Sequence, residues 1–513
     1  MNPLLTKIKL VPGALMVCLA MLLCSNTNNA PLNAGKTYVS DYENVLGTSL
    51  QIKISAANQD VADQAEAKAL NEIDRLDHIL SGYNTQSEFS RWMNGSQKAA
   101  KISPELFQVL DLFDKWRKLT DGALDPSAEV ITKLWKSAAK ENRVPTQIEI
   151  NEAVKTVRGT HYILNAENST VQRLDNAPLI LNSFTKSYII NKACDAALGL
   201  NGVTAIVLNI GGDIVIRGNH TEQVQISNPK ADAENDAAIA KVALSNKAIA
   251  TSGNYRRGEL INGKWYSHIV DPRSGTPAET VISSTVVADN ASDAGALATA
   301  FSVLKPAESA KLAASIPGVQ YLIFTNKGER IESEGWKSIE LPVAKTAAVA
   351  TDIKANTWDP NTELAINIEL AEIQGFRVHR PYVAVWVVDK DNKPVRNIAL
   401  WYNKTRYLDE MHAWYRTYYQ SFMDANASVS STSSATRSAG KYTLKWDGKD
   451  DNGKLVNRGT YTIYIEAARE HGTYQLMEQK IDFTGGFKQV QLTGNAEIAA
   501  ATLDYRKKPK DAQ

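Results

Sequence analysis

Cysteine is nearly absent: three in 513 residues, at positions 18, 24 and 194. No thiol pair and no Cys/His group stands at zinc-ligand spacing, which excludes a zinc-ribbon or zinc-finger module. Excess charge is missing too. Lys and Arg number 57 against 56 Asp and Glu, a formal net charge of +1. A protein that grips nucleic acid through bulk charge needs clustered surplus cations, so the balance argues against that class. No uncharged apolar run reaches the roughly 20 residues of a spanning helix. No repeat of about 20–50 residues recurs, so solenoids drop out as well.

What is present is ordinary globular composition, 43% hydrophobic and 22% charged, with 10 Trp, 19 Tyr and 10 Phe. That excludes wholesale disorder and supplies more than one core. At roughly 100–200 residues per domain the length predicts two to four domains. Lys7 and Lys9 precede an uncharged run over 10–24, and small polar residues follow. This order reads as a secretory signal over 1–30 and predicts an exported, periplasmic protein. Membrane attachment, if any, would run through this N-terminus, as an uncleaved signal or as a lipid on Cys24. Bulky Leu23 before Cys24 speaks against the lipid. Removal of the signal leaves Cys194 alone, with no intrachain disulfide to form.

The remainder reads as α+β in two parts. Residues 58–80 carry helical apolar spacing. Ser103 and Pro104 are start signals for a second helix, closed by Gly122. A third is expected over 186–200 and a fourth over 291–304, capped by Asn290. Strands are expected over 204–210, 213–216, 224–227, 265–270, 282–287 and 320–325. They alternate with helices without a regular βαβ repeat, which gives an α+β domain over 36–342. Periodicity fades over 343–361, read as a linker. Residues 362–510 then form a mostly β, sandwich-like module. One helix is expected there over 409–423, and a Ser/Thr-rich loop over 425–440.

Several short segments carry candidate chemistry. Asn209-Ile210-Gly211-Gly212-Asp213 joins two strands; its glycines suit an anion-binding nest, and equally a tight hairpin turn. The run 250–257 (ATSGNYRR) gathers hydroxyls, a glycine and two cations; Arg suits phosphate through its planar fork. Ser267-His268-Ile269-Val270-Asp271-Pro272-Arg273-Ser274-Gly275 ends a strand in His, Asp and Arg. His268 is a candidate base or phosphate contact, or else a strand-end histidine. Thr120-Asp121-Gly122-Ala123-Leu124-Asp125-Pro126-Ser127 is also a plain helix-start signal.

Taken in order, these segments resemble the ApbE-type FAD:protein FMN transferases over about 38–340. The resemblance rests also on Ser81-Gly82-Tyr83-Asn84, Lys186-Ser187-Tyr188 and Ala296-Leu297-Ala298-Thr299-Ala300. The tail resembles a β-rich domain of unknown function fused behind such enzymes. The resemblance implies Mg²⁺, FAD as substrate, and transfer of FMN to a Thr or Ser hydroxyl of a partner flavoprotein, with AMP released. It implies that Tyr83, Ala123, Leu124, Asp125, Lys186 and Val270 contact FAD. Gly211 and Gly212 would join them, and Arg273 and His268 would meet the phosphates or the acceptor. It implies Ser183 and Thr299 as Mg²⁺ ligands.

The chain departs from that pattern once at the metal. The family places an Asp four residues before the Thr, where this chain has Gly295. Asp293 is the nearby carboxylate, but six residues on a helix put it about 120° from Thr299. Gly295 therefore opens a second reading, an exported FAD-binding protein with lapsed transfer activity. A third reading makes the chain an interaction module led by its tail. The chain carries no flavin-acceptor motif, so covalent FMN is expected on a separate partner.

Overall fold

The computed structural model describes residues 36–342 and 356–509, apart from 96–98, 237, 255–256, 373–379, 403–404, 425–432, 435–436, 438 and 470–471. The expected signal (1–30), most of the expected linker, and most of the Ser/Thr-rich loop lie outside the described residues.

The first part is built on one eight-stranded sheet, antiparallel throughout. Its strands run, in spatial order, Lys36–Val45, Thr48–Ala56, Val203–Ile210, Asp213–Gly218, Ala248–Gly253, Val281–Ala288, Gln320–Thr325 and Arg330–Glu332. Period-2 alternation sends successive side chains to opposite faces. Ile206, Leu208, Val215, Ala248, Ala250, Val286 and Ile323 point to one face, under the helices. Val207, Ile216, Ile249, Val287 and Leu322 point to the other, where Trp336 and the strands Glu222–Ile226 and Ala240–Leu244 cover them.

Three helices lie on the first face: Gln59–Leu80, Thr185–Leu198 and Ala291–Val303. Asn58 caps the first through Val61 N, at 3.0 Å. Asn290 caps the last through Ser292 N, at 2.7 Å. Ser103 caps Pro104–Leu119 with Pro at its first position, as the sequence predicts. Cys194 is buried in this layer as a free thiol. A satellite core forms where Glu129–Lys140 and Gln147–Val157 pack on Ile261 and Val270. Sequence periodicity did not mark these two helices; a capping box between Thr146 and Glu149 starts the second.

One expected strand is broken. Residues 265–270 split into Lys264–Ser267 and Val270–Asp271. Ser267 Oγ accepts Ile269 N at 3.0 Å, which turns the chain and ends the strand before His268.

The second part is a sandwich. One sheet orders Gly440–Trp446, Thr362–Leu370, Ile498–Lys507 and Lys488–Leu492. The other orders Ser433–Ser434, Pro394–Trp401, Tyr382–Val388, Thr460–Ala468 and Tyr474–Asp482. Their inner faces share one core of Val383, Ile463, Leu444 and Leu503. The expected helix is His412–Asp424, which covers the outer face of the second sheet. Trp358 lies in the sandwich core and Thr357 bridges Asn457, so the module begins before 362 and the linker is shorter than expected. A loop of the first part meets the edge strand Gly440–Trp446. Glu234 N donates to Thr443 O (2.9 Å), Asn235 bonds both backbone groups of Lys445, and Lys445 Nζ pairs with Asp232. Among the described residues no helix is long and apolar enough to cross a membrane.

Gly448 closes the sandwich at a positive φ of 73°, flat against the Trp358 ring. A methyl group there overlaps the ring. Gly448→Ala should therefore cost about 1–3 kcal/mol. Urea unfolding followed by tryptophan fluorescence reads it; an unshifted transition would refute the close fit.

Candidate functional site

The turn that ends in Asp125 is folded inward. After the helix Pro104–Leu119, Asp121 and Gly122 take positive φ of 50° and 80°. Ala123 and Leu124 are then buried. The Asp125 carboxylate accepts Ser127 N at 2.8 Å and Ser127 Oγ at 2.5 Å, and pairs with Arg117 Nε at 2.6 Å. Arg117 also donates to Val157 O and Gly159 O. All of these bonds stay inside the protein, so Asp125 is a scaffold group in this state. Gly122 abuts Arg273: a methyl on this glycine would stand 3.8 Å from Arg273 Cγ. The fold thus joins two motifs that lie some 150 residues apart in sequence. Arg273 is itself paired with Asp271, at 2.9 Å, and lies 3.8 Å from Glu308. Val270 is buried in the satellite core. Trp135 Nε1 fastens the same hairpin through Gly275 O at 2.9 Å.

His268 stands at the mouth of that hairpin, open to solvent on one side. Its backbone N and its Nδ1 both meet Arg257 O, at 3.2 and 3.0 Å. A carbonyl only accepts, so Nδ1 holds the proton of the neutral ring and Nε2 keeps its lone pair. Partial burial, with the Arg257 and Lys136 charges alongside, holds the ring pKa below its ordinary 6.5. The Arg257 charge acts on Lys186 as well. Burial lowers the Lys186 pKa first, Arg257 lowers it further, and Asp213 opposes both. Tyr255 and Arg256 of the same motif lie outside the described residues.

A second group gathers at the start of the helix Thr185–Leu198. Ser183 O accepts Thr299 Oγ1 at 3.1 Å, which sets two hard oxygens side by side. Asn182 Nδ2 donates to Tyr83 OH at 2.7 Å, so the 80%-exposed Tyr83 ring stands beside this pair. In the first turn of the helix, Ser187 Oγ donates to Asp213 Oδ2 at 2.7 Å. Burial pushes the Asp213 carboxyl up to about 6, so it is mostly ionised at neutral pH.

Gly211 and Gly212 form the hairpin turn that leads into Asp213. Their amides already have acceptors, Ser49 O at 3.1 Å and Asn209 Oδ1 at 3.2 Å. The turn presents Asp213 and is not an open anion nest. Asp293 lies in the first turn of its helix. Burial raises its pKa, and its charged neighbour is Lys115. Six helical residues separate it from Thr299, about 120° round the axis.

Sequence reading named Lys186, His268, Ser183 and Thr299 as candidates. It read Arg257 as one of two cations suited to phosphate and did not see that its carbonyl orients the histidine, nor that Ser187 and Asp213 form a pair. The pair has no sequence signal, because a turn and a helix 26 residues apart meet only through the sheet.

Comparison with known proteins follows the same division. The ApbE family matches residues 46–323, and the family described as "Predicted periplasmic protein (DUF2271)" matches 363–500. The FAD:protein FMN transferase of Chlamydia muridarum is 27% identical over 310 residues, 58% of this chain and 92% of the relative. That of Escherichia coli K12 is 27% identical over 306 residues, covering 57% and 85%. Among solved structures, the ApbE protein of Thermotoga maritima superposes with a TM-score of 0.54 at 27% identity, over 60% of this chain and all of that one. The flavinyl transferase ApbE of Pseudomonas stutzeri, at 20% identity and a TM-score of 0.50, shares the fold.

Removing the Asp125 carboxylate strands the Arg117 charge beside a buried turn. Asp125→Ala should cost about 3 kcal/mol. Thermal unfolding in the absence of ligand reads it, and an unchanged melting temperature would show that Asp125 is no scaffold group.

Proposed function

Because this chain belongs to the ApbE family, we propose that it transfers the FMN half of FAD to a hydroxyl of a partner flavoprotein. The reading includes export to the periplasm, with Mg²⁺ as cofactor and a Thr or Ser as acceptor. One observation carries it: among the described residues His268 is held through Nδ1 with no partner on Nε2, beside Arg257, whose charge also reaches Lys186.

The chemistry follows from those groups. The acceptor oxygen attacks the phosphorus on the FMN side of the pyrophosphate. The P–O bond to the AMP half breaks, and AMP leaves. His268 Nε2 takes the hydroxyl proton. Lys186 and Arg257 supply positive charge where the phosphoryl oxygens gain negative charge. Tyr83 offers a flat exposed face for the flavin nucleotide. Ser183 O and Thr299 Oγ1 are hard oxygens of the type Mg²⁺ prefers, and their closeness fits a shared cation. When bound there, Mg²⁺ would neutralise phosphate charge.

The lapsed reading, FAD binding without transfer, draws on Gly295. Incubation of the purified chain with FAD, Mg²⁺ and a flavin-acceptor domain separates the two, by AMP release and in-gel flavin fluorescence. Label on the acceptor with AMP in solution is the expected result. FAD bound with no AMP released would leave the lapsed reading standing.

His268→Asn keeps the hydrogen bond to Arg257 O but loses the basic nitrogen. It should slow transfer by about 10²–10⁴-fold while FAD binding persists. The base works when neutral, and its pKa lies below 6.5. The rate of the wild-type chain should therefore hold through pH 7 and fall on the acid side of 6.5. A pH–rate profile with its acid limb above 7 would contradict His268 as the base.

A further inference from the structure

Gly295 precedes Thr299 by four residues, so both face the same way on the helix Ala291–Val303. The space in front of Gly295 is taken. A Cβ built there would overlap Ser187 Oγ and stand 3.2 Å from Ser187 Cβ and from Phe184 Cβ. No side chain at 295 fits while Ser187 keeps its place. Ser187 spends its only proton on Asp213 Oδ2, at 2.7 Å. The serine that fills the Gly295 space therefore draws a carboxylate to the same spot. Among the described residues no other hydrogen bond reaches the Asp213 carboxylate. Ser183, whose carbonyl accepts Thr299 Oγ1, lies in the turn that leads into the helix carrying Ser187.

We propose that Asp213 is the carboxylate ligand of a divalent cation held with Ser183 O and Thr299 Oγ1, and that Ser187 is its positioning residue. The proposal deepens the transferase reading and rests on it for the identity of the cation. The donor set is one carboxylate, one carbonyl and one hydroxyl. Mg²⁺ accepts such a set because it binds hard oxygens, keeps several waters and shares its remaining positions with substrate phosphates. Ser187 and Gly295 then act as one device: the hydroxyl both excludes a side chain from the helix and fixes a carboxylate that arrives from the sheet.

The test uses the full mature chain and Mn²⁺ as the probe, with free Mn²⁺ read by electron paramagnetic resonance in the presence of FAD. FAD binding is measured separately, without metal, by flavin fluorescence. Asp213→Asn preserves size and a partner for Ser187. It should weaken Mn²⁺ binding by at least about tenfold, with FAD binding and the circular dichroism spectrum unchanged. The triple variant Asp213→Asn, Ser187→Gly, Gly295→Asp moves the carboxylate onto the helix and should restore binding.

Mn²⁺ binding by Asp213→Asn equal to that of the wild-type chain overturns the proposal. So does a wild-type chain that binds FAD but no Mn²⁺. Mn²⁺ binding that depends on Asp213 in a chain that releases no AMP upholds the site and sinks the transferase reading alone.

Discussion

The eight-stranded sheet is buried on both faces, and everything else hangs on its register. A slip of one residue in Val203–Ile210 would carry Ile206 and Leu208 away from the helices and turn Val207 toward them. Two different apolar layers would then lose their partners at once. That double penalty locks the strand ends, and the strand ends hold the chemistry. Asp213 begins a strand at the tip of the hairpin closed by Gly211 and Gly212. The helix Thr185–Leu198 crosses the same sheet and brings Lys186 and Ser187 to that tip. A rigid, two-sided sheet is a good base for a site that must hold charges apart from water.

The histidine is placed by a different device. It sits on a short hairpin that the main sheet does not include. The satellite core around Trp135 and Ile150 holds that hairpin, and Trp135 ties it to Gly275 O. The proposed base is therefore carried by a small, separately packed unit, while the Ser183 and Thr299 oxygens belong to the main scaffold.

Helix starts were plain in the sequence because their signals are local. Ser103 with Pro104, and Asn290, each cap the helix that their chemistry announces, whereas Asn58, read as the first residue of its helix, caps it. Strand ends were less plain. The run 265–270 looked continuous, and only the bond from Ile269 N to Ser267 Oγ explains its break. The site was legible as a set of motifs and illegible as a set of contacts. His268 could be picked out as a candidate base, but its tautomer depends on Arg257 O, from the residue just before the strand Gly258–Ile261. Gly295 looked like a missing ligand. Its meaning changes once Ser187 is seen to occupy the space, because tertiary packing decides what a glycine leaves room for.

The contact between the two parts has a consequence for how the chain can be cut. Gly440–Trp446 is an outer strand of its sheet, and unpaired outer strands recruit other chains by backbone hydrogen bonding. Here Glu234 and Asn235 take the backbone groups of Thr443 and Lys445 that would otherwise face outward. The first part thus serves as the guard of that edge of the sandwich. Genes that separate the two parts would have to supply another guard, and the fused arrangement removes that need.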